Sequence, residues 1–229
     1  MASTVQTQTK SKATVAAPAE TDERPAFLAW FDRNRKLASY VAGGIAVVVI
    51  GGWLYRETEQ RKITAASDAL DRARSAFEAG NLPAAATEFQ RVTRTYGGTD
   101  AALEAELELN TVRLASGQTQ LALDALKKFV GSNPPAFYAS GAYLLQGSGL
   151  ENLKKHEEAA QAYTRAADIA TEDYRKVDAL LSASRAWRLA GKEKEAADAL
   201  RRVVGKFSKD TPGVAEAEVR LSELTRGAM

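Results

Sequence analysis

The sequence has no cysteine and a single histidine, His156, among its 229 residues. The lack of cysteine excludes disulfide bonds, thiol catalysis, iron–sulfur clusters and cysteine-ligated zinc. One histidine argues against His-based metal sites and catalytic triads. Basic residues form no dense cluster, and 31 basic and 29 acidic residues give a net charge of only +2, which does not favour nucleic-acid binding. With no strand pattern and no phosphate-binding glycine loop, we expect a protein that is not an enzyme and has no cofactor, metal or small-molecule substrate.

One long apolar run is present, LASYVAGGIAVVVIGGWLY, at residues 37–55. It contains no charged residue, and as a helix it would be about 28 Å long, close to the thickness of a bilayer core. Tyr40, Trp53 and Tyr55 lie near its ends, where aromatic rings prefer the headgroup level. The alternative is the core helix of a soluble protein, which would normally carry a polar stripe. The run therefore predicts a transmembrane helix over 37–55.

The segments on either side of this run have different compositions. Residues 1–24 are rich in Ser, Thr, Ala and Gln and are expected to form a disordered arm. Residues 25–36 are expected to form a juxtamembrane amphipathic helix, or else a simple extension of the span. Residues 56–66 are expected to form a connecting helix. Because the run begins late and is long, it predicts an uncleaved signal anchor rather than a cleaved signal peptide.

Charges near the run favour one orientation. Three basic residues, Arg33, Arg35 and Lys36, precede it, and three others follow it: Arg56, Arg61 and Lys62. The counts are equal, but the first three are packed closer to the membrane. The positive-inside rule then predicts a cytoplasmic N-terminus and a periplasmic C-terminal domain in a bacterial inner membrane.

Small residues within the run suit close helix packing. Ser39 and Gly43 form a small-xxx-small pair, and Gly44 and Gly51 lie seven residues apart on one face. Such faces let helices approach closely. Glycine is also common in membrane spans. Two interpretations are therefore open: the small residues pack against a specific helix partner, or they only reflect the usual composition of a span.

The remainder of the chain repeats at an interval of 37 residues. A turn position, a small position and two apolar positions recur four times each: Gly80, Gly117, Lys154 and Gly191; Ala85, Ala122, Ala159 and Ala196; Phe89, Leu126, Tyr163 and Leu200; Val92, Phe129, Ala166 and Val203. Glycine permits a left-handed turn, alanine lets two helices cross closely, and the bulky residue fills the space between hairpins. Residues 67–229 are therefore expected to form an all-α solenoid of about four helical hairpins, with residues 214–225 as a terminal capping helix.

These columns resemble the tetratricopeptide repeat. Gly147, Ala159, Tyr163 and Ala166 match four positions of that repeat, although its usual length is 34 residues and not 37. The resemblance implies a tetratricopeptide-like solenoid that binds proteins along the first helices of its hairpins.

The layout over residues 26–229 is similar to the ancillary subunit family of the SecYEG translocon. That resemblance implies a periplasm-facing scaffold that helps the translocon or periplasmic chaperones. A structural accessory subunit of a respiratory or photosynthetic membrane complex is the second hypothesis. A cytosolic repeat domain with the opposite topology is also left open.

The resemblance places candidate partner-binding residues along a groove. They are Arg74, Thr111, Leu114, Ser148, Asn152, Arg185 and Arg188. Arg185 and Arg188 lie on one helical face and would suit an acidic partner group. Alternatively, they are solvated or pair with Glu193 or Glu195. Phe77, Tyr143 and Trp187 are interpreted as core residues, with a place in the groove as the alternative.

Overall fold

The computed structural model describes Trp30 and residues 33–226 of the chain. The arm predicted for residues 1–24 lies outside the described residues, as do most of residues 25–36. In the described part the regular elements are nine helices, with no strand: α1 Arg35–Glu78, α2 Leu82–Thr95, α3 Asp100–Ala115, α4 Thr119–Gly131, α5 Ala136–Asn152, α6 His156–Ile169, α7 Asp173–Leu189, α8 Glu193–Lys206 and α9 Val214–Arg226.

The chain divides into two compact units, Met1–Arg56 and Glu57–Met229. In the first unit, each side chain that the structure describes between residues 37 and 55 is exposed, for example Tyr40 at 78% and Val48 at 73%. Helix α1 is long and apolar enough to cross a membrane by length and composition, and it is the one described helix of which this holds.

The second unit consists of helical hairpins. The C-terminal part of α1 with α2, then α3 with α4, α5 with α6 and α7 with α8 form the four hairpins, and α9 follows. This architecture confirms the predicted all-α solenoid with a terminal helix. The predicted connecting segment 56–66 and the first helix of the first hairpin belong to one continuous helix, α1.

The core of the second unit is built from the columns of the repeat. All twelve residues of the small column and of the two apolar columns are buried, and Phe89, Leu126 and Leu200 are completely enclosed. Burying a side chain of this size contributes about 1.5–3 kcal/mol to stability. Since each hairpin supplies the same set, the core continues from one hairpin to the next through repeated contacts between neighbours.

The turn inside each hairpin has the left-handed conformation that the glycine column predicts. The φ angles are +74° at Gly80, +75° at Gly117 and +74° at Gly191. The third hairpin has Lys154 at this position, with φ +62°. A side chain with a Cβ is strained there by about 1–2 kcal/mol, whereas glycine is not.

Candidate partner-binding surface

The candidate groove residues lie on the first helices of the four hairpins. Arg74 is on α1, Thr111 and Leu114 are on α3, Ser148 and Asn152 are on α5, and Arg185 and Arg188 are on α7. We call the surface that they define the groove face. Asn152, Arg185 and Arg188 are exposed, and the other four are half-buried. The face thus has its most accessible candidate residues in the third and fourth hairpins.

Acidic side chains surround Arg74 at the N-terminal end of the groove face. Its guanidinium forms an ion pair with Glu104 of α3, and its Nη1 atom lies 3.7 Å from Asp71 Oδ1. Glu108 lies nearby: burial raises its pKa, Glu104 raises it further, and Arg74 opposes both effects. Because the carboxylates of Asp71 and Glu104 already pair with Arg74, this arginine is not free to bind an acidic group of a partner.

Arg185 forms part of a network that reaches into the core. Its Nη2 atom donates to Glu151 Oε2 over 3.2 Å, and Tyr163 donates its hydroxyl to the same oxygen over 2.9 Å. The hydrogen bond to Glu151 raises the pKa of Arg185, and burial raises the pKa of Tyr163. The predicted alternative in which Arg185 pairs with Glu193 or Glu195 is therefore wrong, because the acidic group within reach comes from the preceding hairpin.

Tyr163 is positioned by its contact with a glycine, Gly147, which has no side chain. Its ring is only 4% exposed and lies against Gly147 of α5, where a Cβ atom would overlap it. The two residues match positions of the repeat that were identified from the sequence. Their contact lets α5 and α6 approach closely and fixes the phenol under Glu151. The orientation of Arg185 therefore depends on core packing as well as on charge.

A small cavity of about 200 Å³ opens where α7 meets α9. Arg185, Arg188 and Ser184 line it from α7, and Arg220 and Glu223 line it from α9. Arg220 pairs with Glu216 on its own helix. Arg188 has no acidic side chain within ion-pair distance among the residues that the structure describes. It is therefore the cation of this cavity that remains available to an acidic group of a partner.

The remaining candidates have more local environments. Thr111 donates its hydroxyl to the Leu107 carbonyl over 3.2 Å within α3. Leu114 packs towards Gly149 of α5, which makes it a contact between hairpins as much as a surface residue. The three aromatic residues interpreted as core are partly buried against core clusters, which confirms that interpretation: Phe77, Tyr143 and Trp187.

Three of these charged residues have no signal in the sequence that marks them as part of the site. Glu104 and Glu151 lie on the first helices, one hairpin away from the arginines that they bind. Their separations of 30 and 34 residues differ from each other and from the repeat interval, so periodicity gives no sign of them. Arg220 lies on the terminal helix, which the repeat alignment treats only as a cap.

The small residues of the apolar run lie on exposed helix surface. Among the described residues, nothing beyond the adjacent backbone of the same helix lies within 4 Å of a Cβ added at Gly43, Gly44 or Gly51. Ser39 donates its hydroxyl to the Lys36 carbonyl over 2.8 Å. The backbone at the three glycines is thus open to a close neighbour. In the part of the chain that the structure describes, no cluster of three or more His, Asp or Glu side chains has the arrangement of a metal site.

Hairpins with a continuous core and a polar groove face define an α-helical repeat protein of the kind that binds other proteins. The chain belongs to the tetratricopeptide repeat-like domain family, whose model matches residues 28–133 and 65–177, together more than half of its length. No curated protein matches the sequence.

Solved structures share this fold at low sequence identity. MamA is 20% identical with a TM-score of 0.53, and the match covers 68% of this chain and 84% of that one. A putative kinesin light chain with nearly identical repeats from Podosopora anserina is 16% identical with a TM-score of 0.57, covering 71% and 86%. A tetratricopeptide repeat protein from Parabacteroides merdae is 12% identical with a TM-score of 0.54, covering 72% and 61%. These similarities establish the fold.

Proposed function

We propose that this protein is a membrane-anchored scaffold that binds a partner protein through the groove face, and that it helps the protein translocon or periplasmic chaperones. The observation that carries the proposal is the combination of an exposed apolar helix with a family fold used for protein interaction. A scaffold function of this kind needs no catalytic residue, because the protein acts by holding its partner near the membrane.

The exposure of residues 37–55 supports the membrane anchor. Eleven large apolar or aromatic side chains of this segment are exposed. Removing one such side chain from water contributes about 1.5–3 kcal/mol, so the segment would gain on the order of 15–30 kcal/mol from an apolar environment. Aromatic residues near both ends fit the interfaces of a bilayer.

The absence of cysteine makes the orientation directly testable. In the proposed topology, a Ser208→Cys variant is labelled by a membrane-impermeant maleimide in cells with a permeabilised outer membrane. A Ser3→Cys variant in the N-terminal segment is labelled only after the inner membrane is broken. The reverse pattern would refute the periplasmic location, and labelling of both before lysis would refute the anchor.

The cavity lined by Arg188 supports recognition of an acidic group at the groove face, because Arg185 beside it is already paired with Glu151. A chain with a C-terminal tag, isolated after gentle solubilisation of native membranes, is expected to bring translocon subunits or periplasmic chaperones with it. Arg188→Glu should reduce their yield at least tenfold, because charge reversal places like charges together. Arg165→Glu is the matched control, since Arg165 is an exposed arginine on α6, outside the groove face. Equal loss in both variants would contradict recognition through the groove.

A structural accessory subunit of a large membrane complex is the second candidate, and the open backbone at Gly43, Gly44 and Gly51 favours it. The two functions differ in stoichiometry, because a subunit keeps a fixed ratio through purification and a helper does not. Replacing Gly44 and Gly51 by leucine should release the protein from such a complex. Retention of a constant ratio in the wild type would overturn the helper function.

A further inference from the structure

A second candidate binding surface lies away from the groove face. A cavity of about 600 Å³ opens between α2, α3 and α4, and we call it the α2–α4 cleft. Its lining includes Leu103 from α3 and Leu121, Ala125 and Phe129 from α4. Leu121 is 52% exposed, so a large apolar side chain stands at the mouth of the cleft with little to cover it.

The same cleft recurs two repeats later, between α6, α7 and α8, with a volume of about 400 Å³. Five of its lining residues stand two 37-residue repeats after lining residues of the α2–α4 cleft. These equivalent pairs are Thr93 and Ala167, Ala102 and Lys176, Glu106 and Leu180, Lys128 and Arg202, and Ser132 and Lys206. The two clefts therefore occupy equivalent places in their repeats and differ in the side chains that line them.

An ion pair ties together the two sides of the later cleft. Arg202 of α8 donates to Asp168 Oδ1 of α6 over 2.6 Å. The equivalent positions around the α2–α4 cleft are Lys128 and Arg94, which are both cations. Neither has an acidic side chain within ion-pair distance in the described part of the chain. The α2–α4 cleft thus lacks the carboxylate that bridges its counterpart.

Leu121 is the second difference between the repeats. The third and fourth repeats have glutamate at the equivalent position, Glu158 and Glu195. A glutamate at this position is stable in contact with water, whereas a leucine lowers its free energy when a partner buries it. The α2–α4 cleft thus differs from its counterpart in two ways: an exposed leucine stands at its mouth, and unpaired cations occupy both positions of the ion pair, Lys128 in the lining and Arg94 next to the lining residue Thr93.

We propose that the α2–α4 cleft docks an amphipathic segment of a partner protein. The segment places large apolar side chains against Leu121, Leu103 and Phe129, and one carboxylate between Arg94 and Lys128, in the role that Asp168 has in the later cleft. Glu106 and Asp124 also line the cleft, so a segment with a run of acidic residues does not fit. This site is independent of the groove face and of its function.

The test uses the purified full-length chain and a fluorescein-labelled helical peptide of about 16 residues. The peptide carries leucines at i, i+3, i+4 and i+7 and one glutamate beside them. Binding is measured by fluorescence anisotropy. Leu121→Glu, which copies the later repeats, is expected to weaken binding at least tenfold. Val219→Glu is the matched control, because Val219 is an exposed apolar residue on α9 and its replacement should leave binding unchanged.

Charge exchange provides a second, independent variant. Lys128→Glu should weaken binding about tenfold, and a peptide with lysine in place of the glutamate should restore it. The variant lies on an exposed position, so it keeps the test valid if Leu121→Glu does not fold.

Three results would overturn the proposal. The first is equal affinity of the wild type and both cleft variants for the peptide. The second is self-association of the wild type that Leu121→Glu abolishes and the peptide does not inhibit, which would make a second copy of the chain the occupant. The third is binding to phosphatidylglycerol vesicles that Leu121→Glu abolishes, without any binding of the peptide.

Discussion

Replacing glycine by alanine should have opposite effects on stability at two helical glycines, Gly147 and Gly205. In Gly147→Ala, the new Cβ would lie 2.6 Å from Tyr163 Cδ1 and 2.7 Å from Cζ. The ring is buried and cannot turn away freely, so the overlap costs about 1–3 kcal/mol. Alanine recovers up to about 1 kcal/mol of helix propensity. We expect a net loss of about 1–2 kcal/mol.

Gly205→Ala is the matched control. Gly205 lies inside α8, and a Cβ added to it would meet no described atom within 4 Å other than the adjacent backbone of its own helix. The substitution there keeps only the gain in helix propensity, about 0.5–1 kcal/mol. The two variants should therefore differ by about 2–3 kcal/mol in the free energy of unfolding, a difference that urea denaturation followed by far-UV circular dichroism resolves.

A double-mutant cycle identifies the ring as the cause. Tyr163→Leu removes the atoms that the new methyl group meets, so it should cost less in the Gly147→Ala background than in the wild type, by about 1 kcal/mol. Equal stabilisation by Gly147→Ala and Gly205→Ala would refute the close packing of α5 on α6. An additive cycle would show that the loss arises elsewhere than at Tyr163.

Other predictions concern single groups. Lys154→Gly should stabilise by about 0.5–1 kcal/mol and Gly117→Ala should destabilise by a similar amount, because both positions have positive φ; equal signs in thermal melts would contradict this. Tyr163→Phe should cost about 1 kcal/mol in urea unfolding by removing the hydrogen bond to Glu151. The pKa of Glu108 is raised in the fold, so its contribution to stability is complete below about pH 4 and is lost as pH rises. Glu108→Gln should therefore stabilise at pH 7, by less than about 1 kcal/mol, and have no effect at pH 3; a constant difference across this range would contradict the assignment.

The sequence alone determined the core of the hairpins and the turns inside them. Alanine and bulky residues at a constant interval, as at Ala85 and Phe89, mark positions that each hairpin buries in the same way. The turn at Lys154 could be placed without a glycine, since the neighbouring columns fix its register. The apolar run 37–55 is likewise a local property of composition. Such features depend on periodicity within a segment, which a single sequence displays directly.

The tertiary structure decided the contacts between hairpins. Arg185 binds Glu151 and not its near neighbours in sequence, because the rotation of one hairpin against the next selects which side chains meet. The α2–α4 cleft is likewise a product of helix packing, and the missing ion pair that distinguishes it from its counterpart is defined by the Arg202–Asp168 contact. A repeat pattern states which residues are equivalent, but the distance between two helices depends on the packing of the whole side-chain set between them. For that reason the fold followed from the sequence, and the surfaces available to a partner followed from the structure.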